Sequence, residues 1–96
     1  MLTELTHLNF WSNNIVGELP REIGQCTSLV VLELQKNYMT GRVPYELRQL
    51  RNATDIGLHW NEMDVTEADE ESFKAALPGC RMYLREQGQL RVLVGF

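Results

Sequence analysis

Two histidines (His7, His59), two cysteines (Cys26, Cys80) and thirteen carboxylates are the side chains with reactive chemistry in this chain. Either histidine beside Asp55 would make the base and orienter of a hydrolytic site, which requires the two groups about 3 Å apart. Both histidines and both cysteines together would suit zinc if they converged on one point. Recognition is a different kind of chemistry, and aromatic residues dominate it at binding hot spots. Trp11, Tyr38 and Trp60, interleaved with Glu33, Gln35, Lys36 and His59, are candidates for that role. The choice between these chemistries rests on what sets the residues side by side.

A repeat does that. The chain reads Leu2, Leu5, Leu8, Phe10, Asn13, Ile15, Gly17, Leu19-Pro20, Ile23-Gly24, and after 24 residues Cys26, Leu29, Leu32, Leu34, Asn37, Met39, Gly41, Val43-Pro44, Leu47. A third pass gives Leu50, Ala53, Ile56, Leu58, Asn61 and Met63, then changes character. A fixed period of this size marks a stacked solenoid, because one unit cannot bury its apolar face alone. Alternation predicts a parallel strand in each unit, with Leu8 and Phe10, Leu32 and Leu34, and Ile56 and Leu58 pointing inward. Asn13, Asn37 and Asn61 fall where each strand ends, and buried amides there would satisfy backbone groups left open by the turn. Gly17 and Gly41 suit backbone angles that a side chain forbids. Pro20 and Pro44 hold the return segment extended or early-helical.

After Met63 the glycine-proline phrase is missing. Thr66 followed by Asp69 predicts a capping-box helix start, with acids in the first turn where the helix dipole favours them. Phe73, Ala76 and Leu77 share one face, and Pro78-Gly79 ends the helix. Cys80–Leu84 reads as a fourth strand with Met82 and Leu84 inward. Ala53 stands at a leucine position, and Phe73 or Met63 is expected to fill the space. Residues 89–96 alternate well enough for another strand, turned back at Gly88 to cover the open edge; a tail without fixed structure is the rival reading.

The phrases LxxLxxLxFxxNxIxGxLPxxIG and CxxLxxLxLxxNxMxGxVPxxL resemble the plant-type leucine-rich repeat of receptor-like kinases and polygalacturonase inhibitors, found also in some protist proteins. The resemblance covers residues 2–63. It implies an α/β fold, a right-handed solenoid with a parallel concave β-sheet and convex turns or short helices, and protein or peptide binding without a cofactor. The strand–helix–strand form after residue 63 is more similar to the longer ribonuclease-inhibitor-type repeat or to a C-terminal cap. We therefore expect one domain over 1–96, with repeats at about 2–25, 26–49 and 50–79 and a cap at 80–96.

In such a stack the non-core strand residues form columns, one residue per rung: His7, Val31, Asp55; then Asn9, Glu33, Gly57 and Tyr83; then Trp11, Gln35, His59; then Ser12, Lys36, Trp60. Catalysis fails on this geometry. His7 and Asp55 stand two rungs or roughly 10 Å apart, and His59 and Asp55 are roughly 13 Å apart along one strand. The histidines and cysteines are scattered over separate rungs without close ligand spacing, which leaves a metal site unsupported, and Cys26 and Cys80 are expected too far apart to bridge. What is left is a recognition patch of Trp11, Glu33, Gln35, Lys36, Tyr38, His59 and Trp60. Its structural alternative folds Trp60 over the space at Ala53 and Trp11 over the bare first rung.

Composition narrows the partners. A net charge of −4 argues against nucleic acid, whose phosphates need clustered Lys and Arg. The longest apolar run falls far short of the ~20 residues that span a bilayer, so membrane insertion is not expected. Met1-Leu2-Thr3-Glu4 leads directly into the first repeat with no signal-peptide pattern, which leaves the compartment open and tilts it to the cytoplasm. The sequon Asn52-Ala53-Thr54 matters only in a secreted protein. Acids crowd 62–71 and bases follow from Lys74 on; both blocks are expected on solvated surface. Nothing in the sequence covers the first strand's flank. The expected partner is thus a protein or peptide, with a homo-oligomer through the first rung, or a capping role in a longer array, as the alternative.

Overall fold

Short alternating segments, each followed by an asparagine turn, give short strands that find partners only one repeat away. The computed structural model describes residues 4–85 and the backbone of residues 93 and 94. In chain order the strands are β1 (His7–Asn9), β2 (Val16–Glu18), β3 (Val31–Glu33), β4 (Tyr38–Arg42), β5 (Asp55–Gly57), β6 (Glu62–Asp64), β7 (Arg81–Tyr83) and β8 (Leu93–Val94). Two 3-10 helices, Arg21–Gln25 and Tyr45–Gln49, and one α-helix, α1 (Glu67–Ala76), lie between them.

One sheet runs β1-β3-β5-β7-β8 and is parallel except for β7 with β8. His7 pairs with Val31 and Val31 with Asp55, so the period of the sequence is the register of this sheet. Tail residues Leu93–Val94 do return antiparallel against the fourth strand, as expected; the rest of that expectation, including the turn at Gly88, lies outside the described residues. Inward columns stack Leu32, Ile56 and Met82, all with no exposed surface, beside Leu34, Leu58 and Leu84. Each such leucine contributes roughly 2 kcal/mol by leaving water.

Phe10 departs from the expectation. It occupies the column of Leu34 but is 50% exposed, because no described layer lies over its side of the first rung. A second departure is a three-stranded parallel sheet, β2-β4-β6, which the sequence reading did not foresee. Its partners are offset by two residues from the repeat: Gly17 faces Met39 and Gly41 faces Met63. An even offset keeps side chains on the same face. Both glycines take the expected positive φ, +94° and +80°, and at Gly41 a Cβ would press on the Glu18 side chain.

The proline turns behave as expected: Pro20 and Pro44 are extended and sit directly before the two 3-10 helices. So does the last unit. Thr66 caps α1, its side chain accepting from the Asp69 N–H while the Asp69 carboxylate accepts from the Thr66 N–H. Phe73 is fully buried and Leu77 nearly so, while Met63 packs against the core only in part. The acids at 69 and 70 correct the picture of a wholly solvated helix start. Both are buried: Asp69 takes the Arg42 guanidinium at 3.1 and 3.2 Å, and Glu70 takes Arg85 Nε at 3.0 Å. Buried carboxylates require such partners. Here they fasten α1 to β4 and to the end of the fourth strand.

Candidate functional site

The asparagines set the geometry of the outer face. Asn37 Nδ2 donates to the carbonyls of Leu34 at 2.9 Å and Gln35 at 3.3 Å, and across the rungs to Phe10 at 2.9 Å. Its Oδ1 accepts the N–H groups of Asn13 and Ile15. Asn61 repeats the pattern, bonding Leu58, His59 and Leu34 and accepting from Met39 N–H. To bring an asparagine back onto carbonyls two and three residues earlier, the residue before it turns left-handed. Ser12, Lys36 and Trp60 do so at φ 58°, 62° and 59°. A tryptophan in that region is uncommon and costs on the order of 1 kcal/mol. The turn fixes where Trp60 points.

What the turn produces on the third rung is a cluster. Lys36 Nζ lies 4.9 Å from the centre of the Trp60 ring, a cation–π contact. His59 meets Trp60 edge-on at 6.3 Å and Tyr83 at 5.5 Å. Trp60 remains 49% exposed, so it is not folded over Ala53. Beside this cluster Gln35 Nε2 donates to Glu33 Oε1 at 3.2 Å. A cavity of about 360 Å³ opens in front of Gly57, walled by Glu33, Gln35, Asp55, His59 and Tyr83. Gln35 packs directly on the bare backbone of Gly57, where a Cβ would stand 2.6 Å from its Oε1.

Two atoms in this wall are enclosed without a hydrogen-bond partner, Gln35 Oε1 and His59 Nδ1. Each such group costs about 1–3 kcal/mol if it stays unpaired, so a ligand or a water is expected to meet it. Burial lowers the pKa of His59 below the ordinary 6.5, and Lys36 lowers it further, while the Tyr83 backbone and Glu33 oppose the shift. The ring is therefore neutral at neutral pH. Cys26 and Cys80 are buried and unpaired with each other, and burial pushes the Cys80 thiol up to about 11. The thiol therefore stays protonated at neutral pH. Among the described residues no three His, Cys, Asp or Glu side chains converge as a metal would need.

Of the seven residues singled out by sequence, five come together here: Glu33, Gln35, Lys36, His59 and Trp60. Trp11 is 49% exposed on the first rung, and no ring contact ties it to the cluster among the described residues. Tyr38 begins β4 in the other sheet, paired with Val16. The sequence columns contained Asp55, Gly57 and Tyr83 without assigning them to the site; an absent side chain between two polar columns was the available signal. A second hollow of about 370 Å³ lies between Tyr45–Gln49 and α1, with Arg48 stacked 4.9 Å from Tyr45 and bonded to its carbonyl. It has no orphaned polar atom.

Comparison with known proteins bears on the fold. The family model described as Leucine Rich Repeat matches residues 4–26. The solved structure of the plant peptide hormone receptor RGFR1 in complex with RGF2 superposes with a TM-score of 0.63 at 22% identity over 88% of this chain. The leucine-rich-repeat ectodomain of the receptor kinase SOBIR1 from Arabidopsis thaliana does so at 0.59 and 22% over 91%. The chain folds as a leucine-rich-repeat protein. It resembles those receptor-kinase ectodomains, and it spans 17% and 58% of their respective chains. No curated protein matches it in sequence. In leucine-rich-repeat terms the five-stranded sheet is the concave layer, the face on which the cluster and its cavity lie.

Proposed function

We propose that the chain is a non-catalytic binding module that holds a protein or peptide on the outer face of its five-stranded sheet. The observation that carries this reading is the third-rung cluster. Lys36, Trp60, His59 and Tyr83 form a fixed aromatic and cationic wall beside an open cavity with two unpaired polar atoms. Aromatic anchors of this kind supply most of the energy at interfaces. Likeness to a receptor solved with a peptide hormone supports a peptide as one class of partner. Trp11, exposed on the first rung in the column of Gln35 and His59, extends the face, and Tyr38 belongs to the other sheet.

Peptides selected from a random display library on the wild-type chain are the probe. Replacing Trp11, His59 and Trp60 together by Ala should weaken their binding at least about 100-fold, since anchors of this type cost 2 kcal/mol or more each. Unchanged binding by a folded triple variant would remove the site.

The first rung supports a second reading, that of an assembly or capping segment. Phe10 is 50% and Val16 73% exposed on that flank, a surface suited to a further rung from a longer array or a second copy. Sedimentation at tens of micromolar should then show dimers; a monomer counts against self-association.

A further inference from the structure

The cavity in front of Gly57 is rich in acceptors and short of free donors. Glu33 and Asp55 bring carboxylates from adjacent strands. Gln35 has committed its Nε2 to Glu33 and keeps Oε1 unpaired. Asp55 uses one oxygen, Oδ2, on the Thr54 hydroxyl at 3.0 Å. The nearby cations do not close the site. Lys36 is drawn onto Trp60, and Arg81, beside Asp55 in the register, is exposed. Among the described residues the ion pairs go to Asp69 and Glu70, not to Glu33 or Asp55.

From this we infer that the cavity receives one arginine side chain of the bound protein or peptide, its guanidinium set between Glu33 and Asp55 and lying on the Tyr83 ring. The inference rests on the binding reading above and adds the chemistry of one subsite. Arginine fits better than lysine for three reasons. Its planar fork of five N–H groups matches carboxylates two bonds at a time. It stacks on flat rings, which Tyr83 and His59 offer. It is also less strongly hydrated than an ammonium, so it is easier to bring into a cavity. Gln35 is part of the fit. Its amide turns on a soft terminal torsion, so Oε1 can leave its place over Gly57 and accept a guanidinium N–H.

The test uses the full chain and the peptides selected on it. An arginine shared among them is replaced by citrulline, which keeps the shape and removes the charge, or by lysine, and affinity is measured by calorimetry. Citrulline should weaken binding about 10–100-fold, the worth of hydrogen bonds to a charged group, and lysine should fall between. The Glu33→Gln, Asp55→Asn double variant should lose a similar factor for the arginine peptide and little for the citrulline one. Glu62→Gln, an exposed acid on the other sheet, should change nothing. Amide NMR shifts on binding should centre on Glu33, Gln35 and Gly57. Selected peptides with no common arginine, or equal affinity for arginine and citrulline forms, overturn the subsite and leave the binding face standing. No selected peptide at all, on a chain whose melting curve shows it folded, overturns the binding reading itself. The citrulline arm leaves the protein unaltered, so it reports even if the double variant fails to fold.

Discussion

The two ends of the stack carry the same inward pattern and meet opposite fates. On the first rung Leu8 is half-buried and Phe10 is 50% exposed; on the last, Met82 is 0% and Leu84 2% exposed. The strands are equally short, but β1 is an edge with one partner and β7 lies between two. The difference lies in what comes next along the stack. Beyond β5 the chain adds a capped helix whose Phe73 and Leu77 enter the core, two buried carboxylates tied to Arg42 and Arg85, and an antiparallel strand at the edge. An aliphatic residue at an inward position is thus only an offer of burial. The next layer decides whether the offer is taken.

The largest expected effect tests that contrast directly. Leu58→Ala removes a side chain sealed between rungs and should cost about 2–5 kcal/mol. Phe10→Ala, in the same column one end away, should cost about 1 kcal/mol or less despite removing more atoms, because half of the ring is already in water. Urea midpoints of the two variants give the comparison. Equal losses would break it and would mean that the first flank is covered in solution, as the assembly reading requires.

A smaller effect sharpens the same contrast in the polar ladder. Asn37 is 6% exposed and ties its own turn to the first rung, at Phe10, Asn13 and Ile15; Asn13 is exposed, and its side chain bonds only its own turn, at Phe10 and Trp11. Asn37→Ala should therefore cost about 1–3 kcal/mol by leaving buried N–H and C=O groups unpaired, and Asn13→Ala less than about 1. Lys36→Ala should stay within about 0.5 kcal/mol, since it gives up only an exposed cation–π contact and keeps the same left-handed strain. Thermal melts of the three variants rank them. Equal losses at 13 and 37 would mean that the ladder is not graded by burial.

These contrasts also show what was legible in sequence. The period, the inward columns apart from Phe10, the asparagine role at 37 and 61 though not at the exposed Asn13, the capping box and the fourth strand could be read, because each is set by a residue type at a fixed spacing. The second sheet could not. Val16–Glu18 buries none of its residues and its partners turn in only Met39 and Met63, too little alternation to mark strands, and their pairing follows from backbone already aligned by the turns. The burial of Asp69 and Glu70 was hidden for a similar reason: their partners, Arg42 and Arg85, are 27 and 15 residues away, and nothing local distinguishes them from solvated acids. At the site the columns were correct, but a column lists neighbours without saying which side chains turn toward each other. Tyr38 looked like part of the patch because it follows Lys36 closely; the left-handed residue at 36 and the asparagine turn at 37 carry it round to the other sheet.

The smallest effect belongs to His59, where the third rung is closed above by Tyr83 as the first rung is not. The imidazole faces Glu33 and Lys36 from the β3 side, Asp55 on its own strand segment and Tyr83 on β7. Burial, aided by Lys36, holds its pKa below 6.5 against the pull of the Tyr83 backbone and Glu33. The sign follows from linkage. The unfolded chain takes up the proton near pH 6.5 and the folded chain only at lower pH. The stability from a neutral ring is therefore complete above that value and is lost as pH falls through the folded pKa. In His59→Gln this component is absent. The melting temperature of the wild type relative to His59→Gln should hence decline between pH 7.5 and 5. A difference that stays flat would mean that the ring is open to water and that the third rung is no better closed than the first. One that rises toward acid would place the imidazolium, not the neutral ring, against the carboxylates of Glu33 and Asp55, and the cavity would then already hold its cation.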